Sequence, residues 1–172
     1  MKKILSTIAM MVIAVSAFAQ IRPRVEITSV EINDGEENFE VMRMNDNGQY
    51  YLALGHLGVG DKVIQVVFDP ATELFIPLGD NLTDAIASLE SIQALFKESP
   101  GTSMEVQGCL SILFPGDQLE TVTVTHEKVL LSHHLRFSVE REGYIRSTYA
   151  NKSEFKPLVS GTKFYKKLHP KE

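Results

Sequence analysis

The chain of 172 residues has no tryptophan, a single cysteine, and few aromatic side chains of any kind. Each shortage excludes something. One thiol, Cys109, cannot form an intrachain disulfide, so the fold must be held by packing. Its expected place is that of a small buried hydrophobe in a strand, with an intermolecular bridge as the alternative. The nucleophile and zinc signatures Gly-x-Ser-x-Gly and His-Glu-x-x-His are absent. Gly58-Val59-Gly60 is too short for a dinucleotide fingerprint and lacks the helix that must follow one. There is no internal repeat and no low-complexity stretch.

What is present begins with a leader. Lys2 and Lys3 precede an uncharged run from Ile4 to Val15, then Ala17-Phe18-Ala19 and Gln20. That order is a secretory signal: cations stay inside, the apolar run enters the translocon, and small residues fit the peptidase. The run is well short of the ~20 residues that span a bilayer, so no stable membrane anchor is expected. The expected cut follows Ala19, which leaves Gln20 rather than a lipidated cysteine first. The opening resembles bacterial export signals that end in Ala-Gln at the cut, which implies a periplasmic or secreted protein. Residues 20–172 then form a single exported domain of ordinary size.

Charge is uneven. The chain carries 17 basic and 22 acidic side chains, net −5, and the leader removes two lysines and no acid. Residues 145–172 reverse the sign, with seven basic and two acidic side chains. An acidic body repels phosphate backbones, so no nucleic acid partner is expected. The basic C-terminal segment is the one part that could seek an anion or an acidic neighbour.

Alternation of apolar and polar residues predicts strands at 25–32, 39–44, 49–54, 62–68, 74–78, 104–114, 119–125, 129–139 and 144–149. Turn chemistry separates many of them: Asp34-Gly35, Asp46-Asn47-Gly48, Asp69-Pro70, Pro115-Gly116 and Glu142-Gly143. In the 129–139 strand, Val129, Leu131, His133, Leu135, Phe137 and Val139 would form one apolar face. Residues 163–168, after Ser160-Gly161, read as a last strand or a fraying tail. One amphipathic helix is expected at 81–97, with Asp80 or Asn81 as cap and Leu82, Ile86, Leu89, Ile92 and Phe96 on one face. Strands on both sides of a lone helix predict an α+β fold with a mainly antiparallel sheet. In element order alone this is similar to the strand–helix plan of PC4- and Whirly-like proteins; a small β-barrel is the other alternative.

Candidate chemistry is sparse. His126, His133 and His134 lie close in sequence, with His56 and His169 apart. Zinc needs three or four converging ligands, and adjacent His133 and His134 on a strand point to opposite faces. His133 therefore reads as a core histidine with a satisfied ring, and His134 beside Arg136 as a solvated one. The polar stretch Asn33-Asp34-Gly35-Glu36-Glu37-Asn38 does not match EF-hand spacing and reads as a solvated loop. Asn81-Leu82-Thr83 and Asn151-Lys152-Ser153 fit the glycosylation triplet, which carries little weight in a bacterial context. No residue is assigned as catalytic, cofactor-binding or metal-ligating, and no cofactor is implied.

The expectation is an exported, non-catalytic binding module for a protein or glycan partner, working through its sheet face or an exposed strand edge. The alternatives are an extracytoplasmic hydrolase or metal-dependent enzyme using His126, His133 or Cys109, and a structural protein whose basic tail docks on a neighbour. Oligomeric state is not encoded in any motif.

Overall fold

A computed structural model of the chain describes residues 24–32, 37–55, 57–59, 67–69, 73–111, 119–141 and 143–171. The leader, the acidic turn at 33–36, His56, the stretch 60–66 and residues 112–118 lie outside the described residues, with the expectations that fell on them.

Period-two alternation becomes strands because each buries one face and hydrates the other. The described strands are β1 (Arg24–Ile32), β2 (Glu37–Met44), β3 (Tyr50–Leu54), β4 (Leu57–Val59), β5 (Val67–Asp69), β6 (Glu73–Gly79), β7 (Ser103–Ser111), β8 (Glu120–Val129), β9 (Ser132–Arg141) and β10 (Tyr144–Asn151). They form one sheet in the order β1-β2-β3-β6-β7-β8-β9-β10-β4-β5, and every pairing is antiparallel. Two helices complete the described chain: α1 (Leu82–Ala94), continued by a 3-10 turn at Leu95–Lys97, and α2 (Lys152–Leu168). The architecture is α+β with a curled, half-barrel sheet.

Two features force the curl. β4 begins three residues after β3 ends, yet it bonds to β10, far from β3 in the strand order. The sheet must therefore bend round until that end approaches β3. The bend passes through β7, which pairs with β8 along Ser103–Gly108 and with β6 along Cys109–Ser111. Gly108 sits at the change of partner. A Cβ there would lie 2.4 Å from Val122 Cγ2 and 3.2 Å from the Phe75 carbonyl oxygen, so only glycine allows the strands so close.

The inner face holds the core. Phe39, Val41, Leu52, Leu74, Ile76, Val122, Val124, Leu135 and Phe137 are fully buried there, with Leu82, Ala85 and Leu89 from α1 and Phe155 and Leu158 from α2. β3 is buried along its whole length because Met42, Met44, Tyr51, Ala53 and Phe75 make a second cluster on the other face. That explains why Tyr50–Leu54 reads as a continuous apolar run. Cys109 is buried in β7, as its type suggests.

The second helix corrects the expectation of a lone one. Residues 163–168 are neither a strand nor a tail; they are the last turns of α2. Asn151 accepts hydrogen bonds from the Ser153 and Glu154 amides, while the Glu154 carboxylate accepts from the Asn151 amide, a complete capping box. Asn81 caps α1 in the same way through Thr83 and Asp84. Both asparagines of the apparent glycosylation triplets thus serve as helix caps. Ser160-Gly161, which resembles a turn, lies inside α2, where Gly161 lets the helix cross β1 closely; a Cβ would sit 2.3 Å from Thr28 Oγ1. Lys163 pairs with Glu90, and Lys166 donates to Thr83 Oγ1 at 2.6 Å, so part of the basic segment spends its charge on α1 of its own chain.

Candidate functional site

The outer face of β8, β9 and β10 differs from the rest of the sheet. Strand alternation puts Val122, Val124 and His126 inside, so Thr121, Thr123, Thr125 and Glu127 stand outside. The register brings Thr123 opposite Ser138, Thr125 opposite Arg136, and Arg136 opposite Tyr149. The threonine row is therefore one wall of a polar surface rather than an isolated ladder. An open groove of about 450 Å³ runs across it, lined by Glu120, Thr121, Thr123, Arg136, Ser138 and Ile145, among others.

The lining is held in place by its own contacts. Arg136 Nε lies 2.8 Å from Glu127 Oε1, and Ser138 donates its hydroxyl to the Thr123 carbonyl at 3.1 Å. Glu120 Oε1 lies 3.7 Å from Arg141 Nε, while its Oε2 is buried with no hydrogen-bond partner among the described residues. Burial raises the Tyr149 phenol above its ordinary value, so it stays protonated at neutral pH. At the same end of the strands Ile145 is 38% exposed and Tyr144 61% exposed. The surface thus offers fixed hydroxyls, a guanidinium and apolar rim positions.

The histidines make a second arrangement on the inner side. The β8–β9 turn is Leu130-Leu131, so His126 faces Leu135, Lys128 faces His133, and the two rings meet diagonally. His126 Nε2 lies 2.7 Å from His133 Nδ1, and His126 Nδ1 lies 2.9 Å from the Glu98 carbonyl oxygen. A carbonyl only accepts, so His126 donates from Nδ1, and in the neutral pair His133 donates from Nδ1 to His126 Nε2. His126 is buried and His133 half-buried. The expected satisfied ring is there, but its partner is another imidazole. His134 is half-buried on the outer face opposite Glu127, less solvated than expected. Leu131 corrects the sequence reading more sharply: it leaves the apolar face for the turn and is 93% exposed.

The structure does not bring His126 and Cys109 together. Gly108 pairs with Glu120, which places Cys109 roughly 20 Å along the strands from His126 at the usual rise per residue. Among the described residues no group of three or more His, Cys, Asp or Glu converges as a metal ligand set. No described helix is long and apolar enough to cross a membrane. No known family, curated protein or solved structure matches the chain.

The pair has a consequence for acid stability. Burial first, then His126, Lys128, His134 and Lys152, hold the His133 imidazole below its ordinary value. For a base lowered in the fold, the stabilising contribution is complete above the unfolded value near pH 6.5 and is lost as pH falls through it. Glu40 works in the opposite sense at lower pH, since burial, opposed by Arg24, raises its carboxyl. We expect Tm to fall between about pH 7.5 and about pH 5.5, above the ordinary carboxylate range. His133→Gln should flatten that slope in a melting series; an unchanged slope would remove the pair as its source.

Sequence reasoning missed both arrangements for one reason. Facing residues become visible only when the β8–β9 turn is placed at 130–131, and no Gly, Asn or Pro marks that turn.

Proposed function

We propose that this protein is an exported, non-catalytic binding module that takes a glycan segment in the groove on the outer face of β8, β9 and β10. The observation that carries the reading is the groove itself, an open polar trough whose hydroxyls and guanidinium are already held in place by cross-strand contacts. Arg136 and the Thr121 and Thr123 hydroxyls can bond further sugar oxygens, and Tyr144 and Ile145 offer apolar surface at the rim. The chemistry suits a chain of hydroxyls better than an apolar peptide. The leader supplies the address, where envelope and environmental glycans are met.

Screening the protein against an array of envelope polysaccharide fragments tests this. Thr121 is exposed and lines the groove, so Thr121→Trp should fill it and leave the fold intact. Binding is expected to drop at least about tenfold, the scale of one lost buried hydrogen bond to a charged group. An array without a ligand, or affinity untouched by Thr121→Trp, would refute the groove as a glycan site.

A second reading has its own observation. Among the described residues β1 ends the sheet, and only β2 pairs with it. Its outer edge suits a peptide added as a further strand.

A further inference from the structure

The turn between β8 and β9 is built against its own comfort. Two-residue hairpin turns require positive φ and favour Asn or Gly, which adopt it at little cost. Here the turn is Leu130-Leu131, and Leu130 holds φ at 56°. A γ-branched side chain in that region is strained. Nor does the strain serve packing, since Leu130 is 90% and Leu131 93% exposed. Two adjacent leucines are thus held out in water at the cost of backbone strain.

Their surroundings point to what covers them. Lys128 and His133 face each other just behind the turn, and Lys128 is exposed. The titratable groups that reach His133 are His126, Lys128, His134 and Lys152, all bases, of which the two lysines carry charge. Two carboxylates close by are already engaged: Glu127 by Arg136 and Glu154 by the α2 cap. An otherwise acidic protein therefore presents a narrow apolar tip backed by cations. At the usual rise, the leucines project roughly 7 Å beyond Lys128. That matches the roughly 5–10 Å depth of the boundary between lipid headgroups and acyl chains.

We propose that the Leu130-Leu131 tip inserts reversibly into an anionic phospholipid bilayer, with Lys128 and Lys152 against the headgroup phosphates. The leucines leave water for the acyl boundary, and the lysines stay in the negative surface potential. A protein socket fits less well, because the tip is convex, two residues wide and without an aromatic anchor. This contact is independent of the groove, which lies toward the opposite end of the same hairpin.

The absence of tryptophan provides a clean test. The full-length gene product, as recovered from expressing cells, is prepared with Leu131→Trp and mixed with vesicles of phosphatidylcholine alone or with an equal part of phosphatidylglycerol. Blue-shifted emission and co-sedimentation are expected with the anionic vesicles, falling as salt screens the lysines. The double variant Leu130→Asn with Leu131→Ser should lose about tenfold or more in partition. Its Tm should hold or rise by a few degrees, because Asn accepts positive φ. Emission unshifted by anionic vesicles, equal binding to neutral ones, or partition unaffected by the double variant would overturn the proposal.

Discussion

Replacing Phe155 by alanine is expected to cost about 3–5 kcal/mol, the range for emptying a fully buried aromatic site. Phe155 has no exposed surface, stacks on Phe137 with ring centres 6.2 Å apart, and meets Phe96 at 6.5 Å. It fixes α2 across the inner face of the sheet, where a cavity could close only by moving the helix. Against a typical domain stability of about 5–15 kcal/mol, the loss should show as a large fall in the urea midpoint. Phe164 is the control: it lies in the same helix but is 62% exposed, so Phe164→Ala should stay within about 0.5 kcal/mol. Equal effects at the two positions would mean that α2 does not dock as described.

Gly108→Ala is the other severe change. A methyl at this corner would meet Val122 Cγ2 at 2.4 Å, Leu74 Cδ1 at 3.1 Å and the Phe75 carbonyl oxygen at 3.2 Å. Valine is stiff about χ1 and the carbonyl belongs to the sheet, so neither yields cheaply. An overpacked core of this kind costs about 1–3 kcal/mol, more than the ~0.5–1 kcal/mol that alanine gains over glycine in a strand. Adding Val122→Ala should restore part of the loss, giving a favourable coupling of roughly 0.5–3 kcal/mol in a double-mutant cycle. Strict additivity would place the strain elsewhere and remove Gly108 as the hinge of the curl.

Both predictions concern features that the sequence half discloses. The capping box of α2, Asn151 followed by Glu154, is legible as residue types at fixed spacing. It is hidden by Pro157, Ser160 and Gly161, which read as breakers. The helix forms regardless because its tertiary contacts outweigh them: Phe155, Leu158, Val159 and Thr162 are buried, and Thr162 ties back to the Leu158 carbonyl at 2.7 Å. The β8–β9 turn fails as a signal for the opposite reason. Leu130-Leu131 continues the apolar alternation, so the turn cannot be told from a strand by composition. Placing the turn at 126–128 instead conceals both the imidazole pair and the exposed tip.

The candidate groove was less legible still. Thr121, Thr123 and Thr125 announce an outward face, and Arg136 and Ser138 another, but nothing local says that these faces adjoin.

From the amino acids alone came the alternating strands, the cap at Asn81, the lone thiol and the acidic body with a basic end. All of these are short-range properties, set by which side chain follows which. Tertiary structure decided the strand order, the bend at Gly108, the burial of α2 and the meeting of His126 with His133. Those depend on which distant segments pair, and the preference for one pairing over another is the summed burial of many side chains rather than a property of any single stretch.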